Sequence, residues 1–169
     1  MSQLQQRYLE LFDYAEGKLY WREDRGSQNC KGKVAGTLNS NGYIKVRVRE
    51  LGGAVSVHRV IYCMQHGYMP EFIDHINGIK DDNRIENLRA VTQAQNNLNC
   101  KTYTNNTSGI KNVSWFKNNK KWGVSVSVNN KRKFLGLFED LELAELVAVE
   151  ARNKYHGAYA NHGVTKCQF

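Results

Sequence analysis

Acidic residues are missing from one stretch of this chain. Between positions 101 and 138 there are 8 Lys or Arg and no Asp or Glu. The remainder nearly balances: residues 1–100 hold 13 basic and 11 acidic side chains, and residues 139–169 hold 3 and 5. The net charge of +8 on the 169-residue chain is therefore the charge of a single segment. A long apolar run is also missing, and mean hydropathy is −0.62, which excludes a membrane-spanning helix. The opening Met-Ser-Gln-Leu-Gln-Gln-Arg has no apolar h-region, so no secretory signal is expected. Cysteine occurs at 30, 63, 100 and 167, never in Cys-x-x-Cys spacing. No structural zinc is expected, and free thiols in a reducing cytosol are the default reading.

What is present suits one medium domain or two small ones, since 41% apolar residues can fill small cores. The unbalanced segment favours a polyanion, because each phosphate contact releases condensed counterions. The alternative is an ordinary solvated basic face.

Residues 4–14 read as a short helix or lead-in segment broken at Gly17, followed by a strand over 18–22 and a polar loop over 23–33. Residues 42–49 alternate strictly. Tyr43, Lys45, Arg47 and Arg49 share one strand face; Ile44, Val46 and Val48 share the other. Leu51-Gly52-Gly53 turns this strand into a hairpin whose basic face fits the major groove, or is simply a charged solvent face. Val60, Ile61, Met64 and Tyr68 recur at helix spacing, with Gly67 as C-terminal cap and Pro70 preventing continuation. His58 and His66 are metal ligands only in principle; the ordinary reading of each is structural or solvated.

The stretch over 73–99 carries the chemistry. Asp74 and His75 are adjacent, Asn87 follows 12 positions after His75, and Asn96 lies 9 further on. Leu88-Arg89-Ala90-Val91 reads as a short strand, and Thr92 with Gln95 forms a capping-box pattern opening a helix that carries Asn96. A histidine is a free base at neutral pH, so His75 suits activation of a water. Asp74 and Asn96 offer hard oxygens, which suit one Mg²⁺ or Mn²⁺ ion. Asn87 is expected to tie the loop and position His75. Adjacent strand residues point to opposite faces, so the chain is expected to leave strand geometry at Asp74-His75, with Asn77-Gly78 as a turn. The bland alternative is a polar turn flanked by loop-forming asparagines.

Val57-His58-Arg59, Asp74-His75-Ile76-Asn77-Gly78, Asn83-Arg84-Ile85-Glu86-Asn87-Leu88-Arg89, Val91-Thr92 and Asn96 together resemble the ββα-metal core of HNH nucleases, in the His-Asn-Asn form of phage homing endonucleases. The resemblance implies His75 and Asn87 as catalytic residues. It also implies Asp74 and Asn96 as metal ligands, and products with a 5′-phosphate and a 3′-hydroxyl.

The C-terminal part reads as three short strands, 112–116, 121–128 and 131–137, with turns at Asn118-Asn119 and Asn129-Asn130. A helix follows, capped by Asp140 and closed by Gly157, with a narrow stripe of Leu141, Ala144, Val147, Ala148, Ala151 and Tyr155. Ser108-Gly109-Ile110, Val113-Ser114-Trp115, Lys121-Trp122, Lys131-Arg132 and Leu135-Gly136-Leu137-Phe138 resemble the AP2 DNA-binding domain. That resemblance implies a sheet in the major groove, with Lys111, Ser114, Trp115, Lys117, Trp122, Lys131 and Arg132 at or near DNA. One of the two tryptophans is expected to pack on the helix instead. Ser125 and Ser127 stand where relatives often carry Arg, which weakens base reading by the middle strand.

The expected protein is α+β: an HNH nuclease domain over 1–99 with an N-terminal hairpin region, a linker over 100–107, an AP2-like domain over 108–160 and a tail over 161–169. It acts on double-stranded DNA as a monomer in the host cytoplasm, without a membrane. The rival readings are a non-catalytic AP2-type regulator and an RNA-directed or structural partner of a larger phage assembly.

Overall fold

The computed structural model describes residues 1–98, 106–128 and 131–162. Cys100, Cys167, the Asn129-Asn130 turn and most of the expected linker and tail lie outside the described residues. The chain is α+β, with small antiparallel sheets and short helices. It parts into two compact units, Met1–Val91 and Thr92–Phe169. The division falls before the helix that carries Asn96, not after Asn99, and none of that helix's residues is buried. Among the described residues no helix is long and apolar enough to cross a membrane.

In the first unit, helix α1 (Gln3–Leu11) is capped by the Ser2 hydroxyl, which accepts from the Gln5 amide. The helix expected up to residue 14 stops at Leu11. Phe12–Ala15 is instead strand β1, paired with β2 (Lys18–Trp21). The cause is the two-residue turn: Glu16 and Gly17 both have positive φ, 48° and 80°, the geometry that matches the twist of a tight hairpin. A side chain at Gly17 would also strike the backbone of Asn83 and Arg84, so this turn seats directly on the loop around those residues. The Tyr14 hydroxyl accepts from the Ile85 amide at 3.0 Å and braces the same loop.

Strands β3 (Val34–Ala35), β4 (Thr37–Leu38), β5 (Ile44–Val48) and β6 (Gly53–Ser56) follow, with β5 between β4 and β6. Val46 and Val48 are buried while Lys45 and Arg47 are exposed, as alternation requires. Helix α2 (Val57–His66) ends at Gly67 in the left-handed conformation, whose amide returns to the Cys63 carbonyl. Val57, Val60 and Ile61 of α2 pack with Phe12, Leu19, Val46 and Val48 into one core. Each such fully buried side chain contributes roughly 1.5–3 kcal/mol. Strands β7 (Phe72–His75) and β8 (Leu88–Val91) form a separate antiparallel ribbon. Cys30 and Cys63 are free thiols.

The second unit starts with α3 (Gln93–Leu98). Thr92 Oγ1 accepts from the Gln95 amide at 3.3 Å, and Gln95 Oε1 accepts from the Thr92 amide at 2.8 Å. Strands β9 (Val113–Phe116), β10 (Lys121–Val128) and β11 (Lys131–Phe138) form an antiparallel sheet in the order β11-β10-β9. Helix α4 (Leu141–His156) is capped by Asp140 and lies on one face of that sheet, where Val113 and Val124 meet Ala144 and Ala148. The small alanines allow that close approach. Arg152 is buried under α4. Its Nη1 donates to the Lys111 carbonyl at 2.6 Å and to Asn112 Oδ1 at 3.3 Å.

Candidate active site

The ribbon β7–β8 and its connecting loop gather three of the four expected site residues. Asp74 lies opposite Arg89, and His75 opposite Leu88. The expectation that the chain abandons strand geometry at Asp74-His75 is corrected: β7 runs through both. Both side chains are nevertheless buried, at 6% and 5% exposure. Neighbouring strand residues face opposite ways, and each finds a partner. Asp74 Oδ2 accepts from Arg89 Nε at 3.0 Å and from Nη2 at 2.7 Å. The His75 ring lies among Asn83, His58 and Tyr43. The expected turn begins only after His75, where the Gly78 amide donates to the His75 carbonyl.

His75 Nε2 is 3.1 Å from Asn83 Oδ1, and Asn83 is 1% exposed. A carboxamide oxygen only accepts, so in this contact Nε2 is the donor. The His58 ring stands edge-on to His75 at 5.1 Å, and Tyr43 stands 5.4 Å from His58. Lys80 Nζ lies 4.9 Å from the Tyr43 ring centroid and donates to the Asn41 carbonyl. Asn83 Nδ2 and His58 Nδ1 are buried with no hydrogen-bond partner among the described residues.

Asn87 closes the loop. Its Oδ1 accepts from the Asn77 amide at 3.0 Å, and its Nδ2 donates to Asn77 Oδ1 at 3.0 Å and to the Asp82 carbonyl at 2.8 Å. Asp82 takes the Arg84 guanidinium on both oxygens, which holds its carboxyl below the usual carboxylate range. Asn96 lies on α3 in the second unit, its amide donating to the Thr92 carbonyl.

Burial pushes the His58 imidazole from its ordinary value near 6.5 down to about 3, with His75 and Arg59 adding in the same direction. The folded state thus keeps His58 neutral where the unfolded chain would already bind a proton. Stability from this source is intact above about pH 6.5 and falls progressively as pH drops toward 3. Urea melts between pH 7 and pH 4 should show a loss that His58→Phe reduces; identical pH slopes for the two proteins would contradict it.

Sequence reasoning passed over Asn83, Tyr43 and Arg89 as parts of the site. Asn83 and Arg89 stand inside the motif that carries the nuclease resemblance, and Tyr43 was placed with the basic strand face. The His58 ring, whose ordinary sequence reading is structural or solvated, packs against His75.

The residues expected at DNA divide by surroundings. Lys45, Arg47 and Arg49 are exposed, and Arg47 and Arg49 line a cleft of about 570 Å³ with Trp21 and Arg25. Arg25 pairs with Glu50 at 2.6 Å there. In the second unit Ser114, Lys117, Lys131 and Arg132 are exposed. Lys111 is half-buried and donates to the Leu98 carbonyl at 2.8 Å. Both tryptophans sit on the helix side of the sheet: Trp122 pairs with Trp115 and Phe138 and packs on the Val113–Ala148 core. Trp115, 41% exposed, stands edge-on to it at 4.8 Å.

Residues 55–98, which span α2, the ribbon and α3, match the family described as HNH endonuclease. The chain carries an HNH endonuclease domain over these residues, and a nuclease domain implies DNA as substrate. A relative, Protein 3.8 of Escherichia phage T7, is 33% identical over 107 residues, covering 61% of this chain and 86% of that protein. No solved structure matches.

HNH nucleases usually use a divalent metal. Among the described residues no three His, Cys, Asp or Glu side chains gather into a metal cage. Within the first unit Asp74 supplies a hard carboxylate oxygen, the donor type that suits Mg²⁺ or Mn²⁺. Arg89 donates two hydrogen bonds to Asp74 Oδ2.

Proposed function

We propose that the chain is a metal-dependent DNA endonuclease of the phage homing type, leaving a 5′-phosphate and a 3′-hydroxyl and nicking one strand. The observation that carries this is the His75–Asn83 contact beside the Asp74–Arg89 pair, inside the segment that matches the family. His75 takes the proton of the attacking water on Nδ1 while Asn83 fixes the ring through Nε2. Asn87 positions His75 by holding the loop that begins after it. Asp74 and Asn96 would hold one Mg²⁺ or Mn²⁺, which supplies Lewis acidity at the scissile phosphate.

In this reading residues 1–99 are the nuclease domain, 100–107 a linker, 108–160 an AP2-like anchor and 161–169 a tail. The match through residue 98 supports counting α3 with the nuclease domain. The anchor is supported by the β11-β10-β9 sheet with α4 across one face and by the acid-free segment over 101–138. Lys45, Arg47 and Arg49 hold DNA from the N-terminal hairpin, and Ser114, Lys117, Lys131 and Arg132 from the anchor. The protein works as a monomer in the host cytoplasm.

A second reading, a non-catalytic DNA-binding regulator, has one observation on its side: Arg89 already neutralises Asp74. Digestion of phage genomic DNA with Mg²⁺ and mapping of the ends separates the two. Ends carrying 5′-phosphate support the endonuclease, and intact DNA supports the regulator. For the anchor, the double variant Lys117→Ala/Lys131→Ala should reduce the slope of log affinity against log salt by about 2. An unchanged slope would remove these lysines from the interface.

A further inference from the structure

The sheet of the second unit has a face that α4 does not cover, and its composition is unusual. Register puts Phe116 and Lys121 opposite each other on this face, next to the Gly123–Ser114 pair, then Ser125–Phe134 and Ser127–Arg132. The Phe116 ring lies over Gly123, where any Cβ would collide with it. Phe134 is 52% exposed, and its ring centroid is 5.9 Å from that of Phe116. Around the two rings stand Gly123, Ser114, Ser125 and Ser127, with half-buried Leu137 opposite Gly123. Arg132 Nε donates to Ser125 Oγ at 2.8 Å, which anchors a cation beside Phe134. Lys121 stands beside Phe116, with Glu139 at 3.1 Å.

We infer that this open face is a stacking platform for unpaired DNA bases, with Phe116 and Phe134 meeting the bases and Arg132 and Lys121 the phosphates. In a duplex each base face is covered by its neighbours and only edges reach the grooves. The Phe116 and Phe134 rings are tilted by 51° to each other, and aromatic rings on an open sheet face bind nucleic acid by stacking on uncovered base faces. The flanking cations and the acid-free segment complement a phosphate backbone rather than an apolar protein surface. The nuclease domain in the same chain selects DNA as the polymer. The inference rests on the proposal that the second unit binds DNA, and adds that it prefers strands that are open.

The test uses the full chain and fluorescence anisotropy with three labelled probes: a single-stranded oligodeoxynucleotide, an abasic strand of the same length and charge, and a duplex. Phe134→Ala should weaken binding of the single strand by about 5- to 100-fold and leave the abasic strand unchanged. Phe134→Leu, which keeps an apolar contact with Phe116, should lose a similar factor because the flat ring is gone. Equal losses on the single strand and the abasic strand, equal losses on the single strand and the duplex, or no loss in either variant would overturn the platform. If duplex binding and its salt slope stay intact while the variants bind the single strand normally, the platform falls and the anchor stands. If the parent binds none of the probes, both fall.

Discussion

His75→Ala should bind DNA as the parent does and cut it about 10²- to 10⁴-fold more slowly, the range that a positioned general base contributes. The imidazole is 5% exposed and held by Asn83, so the substitution removes a group the fold has already oriented. Replacing Asn83 by Asp would put an acceptor-only group against Nε2 and preserve the same tautomer. Single-turnover rates at saturating DNA separate this effect from affinity. Parental rates in His75→Ala would remove the base from the mechanism.

Asp74→Ala should lose both cleavage and stability. Its carboxylate is the partner of Arg89, and the two side chains are 8% and 18% exposed. Removing one member of a buried pair leaves an uncompensated charge, a cost of about 3 kcal/mol or more. The double variant Asp74→Ala/Arg89→Met should recover much of that stability, because the orphaned cation leaves with its partner. It should not recover cleavage, because the carboxylate proposed to hold the divalent ion is still missing. Urea melts and Mg²⁺-dependent cleavage of the same preparations read the two effects separately. Parental cleavage in the stabilised double variant would show that Asp74 holds no catalytic ion. Asn96→Ala should lose cleavage without the stability cost, since α3 buries none of its residues.

Strict alternation over 42–49 and the glycine-capped α2 were legible in the sequence because each is a local pattern with one physical reading. The Thr92–Gln95 cap and the helix that Asp140 opens were legible for the same reason. Features that depend on what lies opposite were not. Phe12–Ala15 reads equally well as a further helical turn; the Glu16-Gly17 hairpin and the pairing with Lys18–Trp21 decide it. Asp74 and His75 are adjacent in a strand and both buried because Arg89 covers one and His58, Tyr43 and Asn83 surround the other. Arg152 carries a charge that favours the surface, yet it is 1% exposed and ties Lys111 and Asn112 to α4. By resemblance Trp115 and Trp122 lie at or near DNA, with one of the two expected on the helix instead. Register places them on the helix side, and it is Phe116 and Phe134 that share the open face. The chemistry of the candidate site was easier to read than its packing, since residue type limits what can accept a proton or hold Mg²⁺.

The most direct measurement is relaxation of supercoiled plasmid by the parent, His75→Ala and Asp74→Ala, each with Mg²⁺ and with Mg²⁺ plus chelator. The account predicts nicked circles from the parent with Mg²⁺ alone and none from either variant. Nicking by the parent that persists under chelation, or nicking by both variants at the parental rate, would contradict a metal-assisted nuclease centred on Asp74 and His75.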